Sequence, residues 1–134
     1  MSSNIKNNLN ELFNLAIKNH QKNNLSEALK MYESVLKINS DHFNSILNLG
    51  ILMAQKSMFD NAIIYFNKAL KIQPNNPDIL NNLGLVNRNL GNLSESIKFF
   101  QKAIDIKKDF FVAYNNLGII YKEQGKFENA KSNF

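Results

Sequence analysis

Apolar residues recur along the chain with helical spacing. They appear at Leu12, Leu15 and Ala16, again at Ile46, Leu49, Gly50 and Met53, and again at Leu80, Leu83 and Gly84. Tyr114, Leu117, Gly118 and Tyr121 complete the series. The i, i+3, i+4, i+7 pattern is one face of an amphipathic helix. Asn19 and Asn87 stand where a further apolar member is due, which places them at the rim of that face. Gly50, Gly84 and Gly118 follow one another at 34 residues, a period that points to stacked repeats rather than one globular core. On this period the chain divides into a polar leader, 1–8, three full units, 9–42, 43–76 and 77–110, and an incomplete unit, 111–134. Each full unit predicts two helices. First helices are expected over 9–22, 43–56, 77–90 and 111–124, and second helices over 25–38, 59–72, 93–106 and from 127 onward. The leader is expected to fray or to extend the first helix.

A glycine inside a helix costs about 1 kcal/mol relative to alanine. Its recurrence in one column predicts that the backbones of a hairpin approach closely there, against Ala28, Ala62, Ser96 and Ala130 of the second helices. Tyr32, Phe66, Phe100 and Phe134 form one aromatic column, and Leu25, Phe59, Leu93 and Phe127 a second large column; both read as core. Asn24 with Glu27, and Asn92 with Glu95, have the spacing of capping boxes. Gly91 and Gly125 suit the left-handed residue between two helices. Asn76-Pro77 supplies an N-cap and a proline at the first helical position.

Composition changes the picture only in part. Five glycines, two prolines and 44% hydrophobic residues in 134 favour an all-α chain with a packed core. The net charge is +5, but lysines are interspersed with acids, and only Lys107-Lys108 are adjacent. A nucleic-acid reader concentrates its charge on one face, so no nucleic-acid partner is expected. Without cysteine there is no disulfide or thiolate metal site. The polar N-terminus does not resemble a signal peptide, and no apolar run approaches the ~20 residues of a membrane span. A cytoplasmic protein without membrane contact is the expectation.

The motif of the unit 43–76 reads Leu49-Gly50, Phe59, Ala62, Phe66, Ala69 and Pro74. It resembles the tetratricopeptide repeat, and the resemblance covers 9–134 without gaps. Departures are Ala16, Asn23 and Ser40 in the first unit and Ser96 and Lys108 in the third. The resemblance implies a right-handed superhelical solenoid of antiparallel helix hairpins, with first helices lining a concave groove. It also implies an interaction scaffold whose groove takes a protein or peptide.

On that implied groove one column is asparagine throughout: Asn14, Asn48, Asn82 and Asn116. A primary amide can donate to and accept from a peptide unit. Two roles stay open for the column: reading an extended peptide backbone, or setting the register of neighbouring repeats. Ile17, Ile51, Leu85 and Ile119 give an aliphatic strip beside it, with Asn115 nearby, and Arg88 and Lys122 add positive charge at one edge. The expected ligand is therefore a polar or acidic extended segment. An asparagine ladder on ungapped repeats resembles the repeat arms of O-linked N-acetylglucosamine transferases, which implies a transferase domain elsewhere in a longer protein. The clamp that other repeats use for chaperone C-termini needs paired basic residues and asparagines. Phe13, Ile17, Asp78 and Asn82 occupy its sites, and only Asn48 fits.

Catalytic chemistry is not expected within these residues. His20 and His42 share no ligand cluster. No nucleophile–base–acid set or phosphate loop is present, so neither metal nor cofactor is expected. Phe134 falls mid-motif, which predicts a fragment of a longer protein or an open end that mediates homo-oligomerisation.

Overall fold

A computed structural model describes residues 3–132, with side chains through residue 126. Among the described residues the chain is all-α. Seven helices follow in order: α1 Ser3–Gln21, α2 Leu25–Ile38, α3 Phe43–Gln55, α4 Phe59–Ile72, α5 Pro77–Asn89, α6 Leu93–Ile106 and α7 Phe111–Ser132. The chain divides into two compact units, Met1–Ile72 and Gln73–Phe134. In the first, α1 packs on α2, α2 on α3, and α3 on α4. In the second, α5 packs on α6, and α7 packs on α6 and also touches α5.

The hairpins close by a shared device. Asn23, Ser57 and Gly91 each adopt a positive φ, of 63°, 60° and 82°. At each turn the next amide reaches back five residues: Asn24 N–H to Asn19, Met58 to Met53, and Asn92 to Asn87, all at 2.8 Å. The left-handed residue itself donates three residues back, at Asn23, Ser57 and Gly91. This is the Schellman arrangement, which satisfies the last carbonyls of a helix.

The expected capping boxes do not form. Asn24 and Asn92 make no side-chain cap. Their amides instead turn toward the preceding helix and donate to Asn19 Oδ1 at 3.3 Å and Asn87 Oδ1 at 3.5 Å. Glu27 and Glu95 pair with Lys30 and Lys98 on the surface. Asn19 and Asn87 are thus parts of the turn, not rim residues. Asn87 is buried, and its amide donates to the Leu83 carbonyl at 2.8 Å. Asn76 does cap α5, accepting from the amides of Asp78 and Ile79 ahead of Pro77.

The glycine column works differently from a plain backbone contact. A Cβ on Gly50 would stand 2.6 Å from the Phe66 ring, and one on Gly84 would stand 2.5 Å from the Phe100 ring. The space is a socket for an aromatic side chain. Both rings are fully buried, as is Tyr32, each side chain contributing about 1.5–3 kcal/mol through removal from water. The helices are nonetheless close: Ser96 Oγ donates to the Gly84 carbonyl across the hairpin at 2.7 Å. In the first unit Ala16, Ala28, Tyr32, Leu49 and Leu52 form one core cluster.

The fourth unit differs from expectation. α7 runs unbroken through Gly125, where the 34-residue period predicts a left-handed turn. Among the described residues nothing lies within 4 Å of a Cβ position on Gly118. The residues assigned to a second helix here, with Phe127, Ala130 and Phe134, lie outside the described side chains.

Candidate functional site

The residues expected to face a ligand come from the first helices, α1, α3, α5 and α7. In the first unit, Asn14 is exposed on α1, while Asn48 and Ile51 are half-buried on α3. Asn48 lines a hollow of about 390 Å³ together with Ile17, His20, Gln21, Tyr32 and Gln55. Its wall is tied by a short polar chain. Gln55 Oε1 can only accept, so His20 Nε2 donates to it at 2.6 Å, and His20 Nδ1 accepts from the Tyr32 hydroxyl at 3.0 Å. Burial pushes the Tyr32 hydroxyl up to about 12, so it stays a neutral donor.

His42 caps α3. Its Nδ1 accepts from the Ser45 amide at 3.3 Å and from the Ser45 hydroxyl at 2.8 Å. The ring meets Phe13 edge-on, with centroids 4.9 Å apart. Burial lowers the affinity of His42 for a proton, which keeps Nδ1 available as an acceptor.

In the second unit, Asn82 and Leu85 are half-buried on α5. Asn116 is engaged: its amide donates to Asn81 Oδ1 at 3.0 Å. Arg88 is also engaged, since its guanidinium donates to Glu123 at 2.8 Å. The positive edge expected from Arg88 and Lys122 therefore loses one of its two charges. Asn115, Ile119 and Lys122 line an open groove of about 520 Å³ around Gly118, with Phe111, Val112 and Tyr114.

The asparagine column is thus split. Among the described residues Asn48 and Asn82 have no side-chain hydrogen-bond partner, whereas Asn116 bonds to the neighbouring repeat. Three contacts share one offset: His20 to Gln55, Arg88 to Glu123, and Asn81 to Asn116 are each 35 residues apart. A search of the sequence at the repeat period plus one residue would have found these pairs. Among the described residues no group of three His, Cys, Asp or Glu could hold a metal, and no helix is long and apolar enough to cross a membrane.

Two tetratricopeptide repeat family models match the sequence, over residues 42–109 and 99–132. The chain belongs to the tetratricopeptide repeat family. No curated protein matches the sequence. Its solved structural neighbours include MamA from Desulfovibrio magneticus RS-1, with a TM-score of 0.82 and 18% identity over 92% of this chain and 70% of that one. The first TPR of Spaghetti (RPAP3), bound to the HSP90 peptide SRMEEVD, gives 0.80 and 17% over 87% and 93%. The O-GlcNAc transferase of Thermobaculum terrenum gives 0.80 and 19%, covering 90% of this repeat chain but 23% of the transferase. At these identities the likeness is one of fold.

Proposed function

We propose that this tetratricopeptide chain is a non-catalytic interaction scaffold that binds an extended peptide or protein segment on its first-helix face. The observation that carries the reading is the division of the asparagine column. Asn48 and Asn82 present free amides beside Ile51 and Leu85, and a primary amide is suited to pair with a peptide unit. Asn116 serves register through Asn81, so both roles open at the sequence level are used, at different positions. With Arg88 neutralised by Glu123, the ligand is polar and near neutral rather than acidic. The Spaghetti structure supports a peptide as the ligand class, but the basic residues of a chaperone-tail clamp are absent here, so the ligand is not an acidic C-terminus.

A second reading, a substrate-presenting arm of a repeat-bearing transferase, is favoured by the asparagine column and by the fold shared with the Thermobaculum enzyme. It involves the same face. The test is titration of the chain against end-capped extended peptides, one set neutral and one acidic. Asn48→Ala with Asn82→Ala is expected to weaken neutral-peptide binding while helicity and Tm hold. Loss of stability without loss of binding would overturn the assignment.

A further inference from the structure

The hollow around Asn48 holds a second recognition element, two helical turns further along α3. Its lining is Ile17, His20 and Gln21 of α1, Tyr32 of α2, and Asn48 and Gln55 of α3. None of these side chains is Asp, Glu, Lys or Arg, and three of them are primary amides. At 1.5 Å of rise per residue, about 10 Å of helix axis separates Asn48 from Gln55.

Gln55 is held in one orientation. The Tyr32 side chain is fully buried, and its hydroxyl donates to His20 Nδ1 at 3.0 Å. A neutral imidazole that accepts at Nδ1 carries its hydrogen on Nε2, and Nε2 donates to Gln55 Oε1 at 2.6 Å. The oxygen of Gln55 is therefore taken, and its NH2 is the free end of the amide. Among the described residues nothing accepts from that NH2, and no partner engages the amides of Gln21 and Asn48. Tyr32 and His20 are positioning residues that leave Gln55 as a donor. Two repeat periods further on, the same columns hold Arg88 and Glu123, linked as an ion pair. In the first unit the link is neutral.

We propose that this end of the hollow is a subsite for a primary-amide side chain, glutamine or asparagine, of the bound segment. The proposal rests on the peptide-binding reading and gives it a sequence preference. The carbonyl of the incoming side chain accepts from Gln55 Nε2, and its NH2 donates to the oxygen of Gln21 or Asn48. Asn48 as a reader of peptide units is indifferent to sequence, whereas Gln55 is not.

Other side chains fit less well. A carboxylate finds donors but no cation, and loses hydration without a counter-charge. An ammonium needs acceptors, and Gln55 Oε1 and His20 Nδ1 are already taken. An aliphatic side chain covers the Gln55 NH2 and leaves it without a partner, which costs more than a bond there would gain. A hydroxyl puts donor and acceptor on one atom, whereas a carboxamide separates them and reaches two amides at once.

The experiment is a titration of the isotope-labelled full chain with propionamide, propionate and propylammonium, followed at the side-chain amide resonances of Gln21, Asn48 and Gln55. Propionamide is expected to shift them saturably, with a Kd on the order of tens of millimolar. The two ions should bind more weakly on the order of ten-fold. Gln55→Glu has the same shape and still accepts from His20, but carries an oxygen where the wild type carries the outward NH2. It should reverse the order, taking propylammonium ahead of propionamide at an unchanged Tm. His20→Ala frees the Gln55 amide to turn and should bring the ratio of the two affinities toward one. No saturable shift with propionamide, an equal response to the ions, or an unchanged order in Gln55→Glu overturns the proposal. An unchanged ratio in His20→Ala removes His20 as the positioning residue.

A neutral end-capped host peptide of alternating serine and threonine, with glutamine, leucine, glutamate or lysine at its centre, carries the test to the bound segment. The glutamine guest should bind on the order of ten-fold tighter than the others. If no host binds while propionamide still seats at Gln55, the peptide-binding reading fails and the subsite stands. If every host binds alike, that reading stands and the subsite fails.

Discussion

Gly84 on α5 and Gly118 on α7 occupy the same column of the repeat and meet opposite surroundings. A Cβ at Gly84 would stand 2.5, 2.7 and 2.8 Å from three atoms of the Phe100 ring. At Gly118 the same atom would meet nothing among the described residues. The residue type is equal and the helix propensity is equal, so any difference in response to substitution belongs to the second helix, not to the glycine. Where a second helix returns, glycine is a socket in the core. On the unbroken α7, glycine meets no described residue.

The largest expected effect is at the filled socket. Gly84→Leu should cost about 1–3 kcal/mol by overpacking against Phe100, read as a lower denaturation midpoint in urea. An unchanged midpoint would mean that the ring can leave without cost, and the comparison would fail. Next is the turn that returns the second helix. Asn87→Ala removes a buried amide that bonds the Leu83 carbonyl and receives Asn92, and should cost roughly 1–2 kcal/mol. A loss below a few tenths would show that the backbone turn suffices by itself.

Gly118→Leu should act in the opposite sense, adding up to about 1 kcal/mol to monomer stability through helix propensity. A loss there would show that the socket is filled in solution.

The smallest effect is a pH dependence at α3. His42 is held below its ordinary proton affinity by burial, and its neutral Nδ1 is the cap. Below the ordinary imidazole value the unfolded chain takes the proton more readily than the folded one. The contribution is therefore complete above about pH 6.5 and declines as pH falls toward the lowered folded value. His42→Asn keeps a capping side chain and should flatten that part of the profile. A variant with the same acid slope as the wild type would remove His42 as its source.

Most of the fold was legible because the 34-residue period constrains every unit at once. The edges of α2 through α6 agree with the pattern to within a residue. The Asn76-Pro77 start and the left-handed Gly91 also follow from residue type alone. The capping boxes did not, because spacing cannot show that Asn24 and Asn92 face back toward Asn19 and Asn87. Gly125 illustrates the same limit. Asn23 and Ser57 take the left-handed form without being glycine, while Gly125 remains helical. Residue type alone therefore does not decide whether the turn forms.

At the candidate site, the asparagine column was visible in the sequence, but its division was not. Asn116 differs from Asn48 and Asn82 because Asn81 stands 35 residues earlier and accepts its amide. Arg88 is likewise neutralised by a residue one position off the period. Such pairs depend on how one first helix overlaps the next, which hydrophobic spacing within a helix does not encode.

One glycine column meets two surroundings, and the denaturation midpoints of Gly84→Leu and Gly118→Leu, measured side by side, test that difference most directly. The prediction is a lowered midpoint for Gly84→Leu and one equal to or above that of the wild type for Gly118→Leu. An unchanged midpoint for Gly84→Leu, or a lowered one for Gly118→Leu, would contradict it.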